Sequence, residues 1–467
     1  MLYFILPLLF SLISFTAKRK NIDYIILVSN SVLNAIFTVY IVFIANINLK
    51  YFAVDAISKP FLLILSIVFF SSSLYSIYFL KKREIDERWH SIYTLCFILF
   101  DSLMMLSLMS VHIGLYWVLL EATTILTAPL IYFNKTKHSL EAAWKYVFIC
   151  SIGIAIGFIG IIFLSITFRH SESLFFADFY GYSDPVSSLF LKIAFLFIIV
   201  GFGTKAGLAP LHFWLPDAHS EAPSPVSAML SATLLNTAMI GIIRVLKAMY
   251  IFKEQYFANT MLLLMGFMSL FVSAVFILRI KNYKRILAYS SIENMGIIAV
   301  ALASGGAGIL AGIIHTVSHS LLKASLFLTS GNILDRYETK HYDETGPVMK
   351  DMKMTGIVFG LSVFGILAIP PSLSFLSEFK IMSVFISGKN YFLMVLFMLL
   401  LTVVFYGFIK MLLTMMFGEK DFSAVKKEYI LQILPQMLLL IFAFGLGLFM
   451  PSAVKQILLD AANWIGG

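Results

Sequence analysis

The sequence predicts an all-α, polytopic membrane protein of about fourteen transmembrane helices, and three observations carry that prediction. Of its 467 residues, 60% are hydrophobic and 13% charged, with a mean hydropathy of +0.92. That is too little polar surface to cover a water-soluble globule. Apolar stretches of ~20 residues, long enough to cross a bilayer, recur at intervals of about 25 to 35 residues. Lysine and arginine are also shared unequally between alternate connections, as the positive-inside rule requires of a chain that crosses repeatedly.

The spans are expected at 1–16, 23–48, 59–80, 91–110, 112–133, 142–166, 187–209, 223–250, 258–280, 284–304, 306–334, 354–386, 391–417 and 430–450. The first, "MLYFILPLLFSLISFT", lacks the basic start and small-residue cleavage site of a signal peptide and is read as a retained helix. Connections after odd-numbered spans hold Lys18, Arg19, Lys20, Lys81, Lys82, Arg83, Arg88, Lys135, Lys137, Lys281, Lys284, Arg285, Arg336, Lys340, Lys350, Lys353, Lys420, Lys426 and Lys427. Those after even-numbered spans hold only Lys50, Lys59, Arg169, Lys253 and Lys389. The odd connections are therefore expected in the cytoplasm and both termini outside. The net charge of +9 is a topology signal of this kind and not a nucleic-acid surface, because the cations are dispersed. Cys96 and Cys150 lie in separate apolar segments without a CxxC or Cys/His cluster, which points away from disulfides, zinc and iron–sulfur clusters in this chain. The longest polar connections, "RHSESLFFADFYGYSDP" and "DRYETKHYDETGPVMKDMK", read as solvated loops.

Two spans are broken by proline: the seventh at "GTKAGLAPLHFWLPDAHSEAPSP", near Pro210, and the twelfth at "LAIPPSLSFLSEFK", with Pro370 and Pro371. Proline removes a backbone donor, so inside lipid such a break survives only where protein or water satisfies the freed groups. Matching broken helices in two halves point to a transport site. The breaks are five spans apart, and a repeat with an odd number of spans must be inserted upside down relative to its partner. The chain is thus expected to divide into a three-helix segment (1–90), a first five-helix repeat (91–250), an inverted second repeat (251–420) and a last helix with its tail (421–467). Glu121 and Glu293 each lie about ten residues into proposed counterparts, the fifth and tenth spans.

Ionisable groups at membrane depth cost ~2.5 to 3.5 kcal/mol each on insertion scales and mark ion pathways. Glu121 is central in "VHIGLYWVLLEATTILTAPLIYF", and Lys205 lies just ahead of the first break. A buried lysine whose carboxylate partner can approach or retreat is a proton site that can be loaded and emptied. His315, His319 and Lys323 follow an i, i+4, i+8 row in "GILAGIIHTVSHSLLKASLFLTSG", on one helical face with ~6 Å of rise per step, a distance one water can bridge. That row is read as a relay; as a zinc site it lacks an HExxH carboxylate or third ligand. Glu293 and Glu378 add carboxylates. Arg244, which effectively never deprotonates, is expected to be a fixed counter-charge, with Lys410 a further secondary candidate. Asp101, Lys192 and Lys380 are weaker candidates, assigned to an interface or the surface. Glu121, Lys205, the histidine row and Glu378 are expected to outline a polar axis parallel to the membrane plane.

"GTKAGLAPLHFWLPDAHSEAPSPVSAML", "KRILAYSSIENMG" and "HTVSHSLLKASLF" resemble the antiporter-like, proton-translocating subunits of respiratory complex I, group 4 membrane-bound hydrogenases and Mrp cation/proton antiporters, over roughly residues 90–420. The resemblance implies a fourteen-helix fold with inverted five-helix repeats, in a multi-subunit complex of a prokaryotic cytoplasmic membrane, with no cofactor of its own. It implies that partner membrane subunits and a peripheral redox arm carry the iron–sulfur clusters and a NiFe site, so that this chain has no redox active site. By motif position Glu121 corresponds to the glutamate that modulates the lysine of the broken seventh helix, here Lys205. Glu378 corresponds to the exit-side charge of the broken twelfth, and His315, His319 and Lys323 to the region linking two half-channels. Where complex I subunits often place a lysine or histidine in the eighth helix, "LLNTAMIGIIR" offers Asn236. Glu293 and Lys323 are similar to the hydrogenase-4 component F type. With only "PSAVKQILLDAANWIGG" after the last span, no long lateral helix is expected. The implied function is proton translocation in a redox-driven complex, with a Na⁺/H⁺ antiporter subunit as the alternative.

Overall fold

The computed structural model describes residues 2–45, 47–168, 174–183, 186–418 and 428–466, which are helices and connections with isolated β-bridges only. Arg169, Lys420, Lys426 and Lys427, and parts of the 169–185 loop, lie outside the described residues. In chain order the helices are α1 (Leu2–Ala17), α2 (Lys20–Phe43), α3 (Ser58–Lys81), α4 (Glu87–Met109), α5 (Ile113–Ile131), α6 (Lys137–Thr167), α7 (Phe176–Tyr180), α8 (Ser188–Lys205), α9 (Trp214–Glu221), α10 (Ser224–Met229) and α11 (Leu235–Ile251). Then come α12 (Gln255–Arg279), α13 (Tyr283–Ala303), α14 (Ala307–Tyr337), α15 (Val348–Asp351), α16 (Lys353–Ile366), α17 (Leu373–Ser387), α18 (Tyr391–Met416), α19 (Ile430–Leu448) and α20 (Ser452–Gly466). A π-helical turn, Leu230–Leu234, fuses α10 and α11 into one rod.

Twelve of these segments are long and apolar enough to cross a membrane. The other two expected spans are α1 and the α16–α17 pair. The first is short and the second is cut by its break, so length and composition alone do not establish them as crossings. The sequence reading missed α7, α9, α15 and α20, which are too short or too polar to look like spans.

Hydropathy and position run in opposite directions. The apolar stretches of the rod Ser224–Ile251 and of α13 are wholly buried, and that of α14 nearly so, yet they are less apolar than those of α6 and α18, most of whose residues are not buried. A helix that touches only protein needs no lipid-compatible surface, so the centre is where polar side chains can be carried. Packing is close where α6 crosses α8: a Cβ on Gly201 would come within 2.4 Å of the Gly157 backbone nitrogen. Small residues let two backbones meet in this way.

Contacts between connections respect the alternation read from the charges. At one end Asp23 meets His90 (2.7 Å), Lys82 meets Asp335 (3.2 Å), Lys340 meets Glu221 (2.7 Å) and Lys281 meets Asp343 (2.7 Å). At the other, Lys192 meets Glu254 (3.1 Å) and residues His112 and Phe175 form a bridge.

Candidate functional site

The site begins where α8 stops. After Lys205 the chain turns through Ala206–Leu208, with Ala206 N–H donating to Phe202 O, Gly207 to Thr204 O and Leu208 to Gly203 O. Residue 207 has a φ of +77°, and as glycine it adopts this without a Cβ clash. The freed groups of the break find protein partners, as burial demands. Trp214 Nε1 donates to Thr204 O at 2.8 Å, and Ala209 N–H donates to the Ser269 hydroxyl of α12 at 2.9 Å.

The same turn recurs 161 residues later. Leu367 N–H donates to Val363 O, Ala368 to Gly365 O and Ile369 to Phe364 O, with Ala368 at a φ of +54° in place of the glycine. A left-handed alanine costs roughly 1–2 kcal/mol, so this backbone shape is held by its surroundings. The Ser372 hydroxyl then caps α17 by accepting from Phe375 N–H. Both breaks contain a cis proline, Pro210 and Pro371.

Lys205 is fully buried at the C-terminus of α8, where the partial negative charge of the helix end favours a cation. Its ammonium donates to the Thr124 hydroxyl of α5 and to the Tyr146 hydroxyl of α6 at 3.3 Å. Thr124 donates onward to Glu121 Oε2 at 3.3 Å, and Ser151 donates to Glu121 Oε1 at 2.5 Å. Glu121 and Lys205 are thus brought together through one hydroxyl and form no ion pair with each other. Thr124, Tyr146 and Ser151 were missed from sequence, because ordinary hydroxyls in apolar helices give no signal.

In the second half Glu293 of α13 and Glu378 of α17 face one cavity of about 200 Å³, walled by Ile366, Leu367, Leu401, Thr402 and Phe405. The break between α16 and α17 thus borders the space that both carboxylates reach. Beside it, His315 Nδ1 pairs with the Ser377 hydroxyl at 2.8 Å and Nε2 with Asn294 Oδ1 at 3.0 Å. Both ring nitrogens are therefore engaged in hydrogen bonds.

The three members of the α14 row are fully buried but meet different neighbours. An i+4 step turns a helix ~40° past one revolution, so eight residues turn the face by ~80°. His319 Nε2 lies 3.3 Å from Ser231 O in the π-helical turn, and Lys323 donates to Leu287 O of α13 at 2.9 Å. Asn236 donates from Nδ2 to Ala232 O and to the Ser320 hydroxyl, each at 2.7 Å. His319 and Asn236 therefore link α14 to the α10–α11 rod. The π turn, a form frequent at functional sites, was not legible in the sequence.

Two secondary candidates fall outside this arrangement. Arg244 donates to Ser110 O, to Leu108 O at 2.7 Å and to the Ser58 hydroxyl at 3.1 Å, and pairs with Asp55 at 3.4 Å, pinning α11 to the connections at one end. Lys410 is exposed on α18 and joins no buried group, because the outer helix turns it away from the centre. Of the weaker candidates Lys380 is exposed, Lys192 is half-buried beside Glu254, and Asp101, expected at an interface or surface, is instead fully buried between α2 and α4. Among the described residues no direct hydrogen bond joins the Lys205 group to the α14 row. Two buried histidines of the first break, His212 and His219, were also not singled out from sequence.

Residues 110–405 match the family described as "NADH:quinone oxidoreductase/Mrp antiporter, TM". The chain is 33% identical over 426 residues to the hydrogenase-4 component F homolog of Methylacidiphilum infernorum, covering 87% of each chain. Its fold is similar to that of a chain in the membrane-bound sulfane sulfur reductase, an archaeal respiratory membrane complex, with a TM-score of 0.88, 22% identity, and coverage of 100% of this chain and 97% of that one. It is also similar to a chain of the Mrp complex from Dietzia sp. DQ12-45-1b, with a TM-score of 0.84, 15% identity, and coverage of 99% and 95%.

Proposed function

The chain belongs to the NADH:quinone oxidoreductase/Mrp antiporter family, an antiporter-like membrane subunit homologous to a hydrogenase-4 component, and on that premise we propose that it moves protons within a redox-driven complex. The complex is of the group 4 membrane-bound hydrogenase or complex I-like kind, in a prokaryotic cytoplasmic membrane. The Lys/Arg-rich end faces the cytoplasm and both termini face outward. Other membrane subunits and a peripheral redox arm are its partners, and the arm holds the iron–sulfur clusters and the NiFe site.

The observation that carries this reading is the Lys205 ammonium, fully buried and linked to Glu121 only through the Thr124 hydroxyl. Displacement of Glu121 toward or away from Thr124 changes how well the ammonium charge is balanced, so the lysine accepts or releases a proton. Asn236 and His319 sit where the two halves meet and pass the proton on through water. His315 and Ser377 connect that row to the Glu293–Glu378 cavity, from which the proton leaves. Lys205→Ala in the intact complex, reconstituted in vesicles, is expected to abolish proton pumping and slow the coupled redox reaction. Unchanged pumping would overturn the mechanism.

The likeness to the Mrp complex chain favours one second reading, a Na⁺/H⁺ antiporter subunit. Sodium-dependent ion flux without any redox substrate would support that reading over the first.

A further inference from the structure

Between α3, α14, α19 and α20 the packing opens into a crevice of about 540 Å³ that no polar side chain lines. Toward the Lys/Arg-rich end the three long helices are laced together: the Tyr75 hydroxyl of α3 donates to Asn332 Oδ1 of α14 at 2.9 Å, and Asn332 Nδ2 donates to Gln432 O of α19 at 3.0 Å. Toward the opposite end they splay apart. The crevice runs from Pro60 to Ile67 along α3 and from Phe449 back to Ile441 along the end of α19, ~10–12 Å of rise on either helix. Its floor is formed by Val317 and Leu321 of α14, both buried, and its mouth by Phe442 and Phe449, both exposed.

Depth and charge identify the occupant. One leaflet of the hydrocarbon core is ~15 Å deep, half of ~30 Å. The crevice matches that depth and closes beyond it, so it accepts a hydrocarbon chain entering from one leaflet and not a helix that crosses the whole membrane. Its open end is basic. Lys59 stands one turn before Leu63 and Lys455 one turn before Leu458, so both lie on the helix faces that line the crevice. Neither ammonium forms an ion pair among the described residues, and the carboxylates nearest to them in sequence, Asp55 and Asp460, are taken by Arg244 and Gln456. α20 also begins here, between Pro451 and Val454 of the lining, so the positive end of its dipole sits at the mouth.

We propose that this crevice binds one anionic phospholipid, with an acyl chain between α3, α14 and α19 and the headgroup phosphate between Lys59 and Lys455. Val317 and Leu321 are each two residues away from members of the His315–His319–Lys323 row, ~200° round α14. The acyl chain therefore covers the back of the helix that carries the row, and supplies there the packing contacts that neighbouring helices supply elsewhere around it.

The test uses the intact complex in vesicles of phosphatidylglycerol and phosphatidylcholine, with a photoactivatable diazirine in the acyl chain of one lipid at a time. Phosphatidylglycerol should label the peptides that hold Leu321 and Phe442 more heavily than phosphatidylcholine does, by roughly 5-fold for each rim lysine. Lys59→Gln together with Lys455→Gln should erase that preference. Gly445→Phe, at a lining position where a Cβ meets nothing within 4 Å, fills the crevice without disturbing the fold and should cut labelling by either lipid several-fold. Labelling should be the same in Lys205→Ala, so the outcome does not depend on the pumping mechanism. Equal labelling by the two lipids, or labelling that Gly445→Phe leaves unchanged, would mean bulk lipid only, and no labelling of the native complex would mean that a protein partner covers the crevice. Each of these outcomes would overturn the proposal.

Discussion

Thr124→Val replaces the hydroxyl between Lys205 and Glu121 by a methyl of nearly the same volume. In the native structure Thr124 Oγ1 accepts from the Lys205 ammonium and donates to Glu121 Oε2 at 3.3 Å, leaving Tyr146 at 3.3 Å as the other acceptor for the lysine. A hydrogen bond to a charged group contributes about 1.5–3 kcal/mol, so its loss shifts the charged-to-neutral ratio of the lysine by roughly 10- to 150-fold toward the neutral form. Proton translocation per electron, measured by a pH dye in vesicles containing the intact complex, should fall by at least 10-fold. Thr124→Ser, which keeps the hydroxyl, should pump at near the native rate. Thermal stability in detergent should change little in either variant, since the swap conserves volume. Native pumping by Thr124→Val, or equal loss in Thr124→Ser, would refute the idea that the hydroxyl couples the two charges.

Three further outcomes are expected. Gly201→Ala forces a methyl against the Gly157 backbone and should cost ~1–3 kcal/mol of stability or block assembly, whereas Gly445→Ala, with nothing within 4 Å, should be neutral in the same melting assay. Arg244→Gln should lower stability by about 3 kcal/mol, because it strips a buried counter-charge from two carbonyls and Asp55, yet assembled protein should still pump, which separates a fixed charge from a carrier. In the exposed connections, the hydrogen bond from Lys281 holds the Asp343 carboxyl below its ordinary value. Stabilisation from a depressed carboxylate is present above about pH 4 and lost as pH falls further, so proteolysis within 338–347 should accelerate below that pH.

Much of the architecture was legible because the bilayer imposes it on composition. Apolar length located the long spans, and charge asymmetry ordered their ends, since the connections carrying Lys82, Lys281 and Lys340 meet their partners together. Proline located both breaks, and the scarcity of charge inside the spans made Glu121, Lys205, Glu293, His315, His319, Lys323 and Glu378 stand out one by one. α20 was passed over because Lys455 and Asp460 interrupt its apolar run.

What joins those residues was decided only by tertiary structure. Periodicity gives a residue's depth and face but not its neighbour, so the Thr124 bridge, the shared Glu293–Glu378 cavity and the meeting of His319 with a π-helical carbonyl could not be read from spacing. The same limit misassigned Asp101 to an interface or surface and retained Lys410 as a candidate: both lie in apolar helices, and packing alone buries the first and exposes the second. Sequence determined which charges the membrane tolerates and how deep they lie; packing determined which of them face one another, because lateral adjacency between helices is set by contacts distant along the chain.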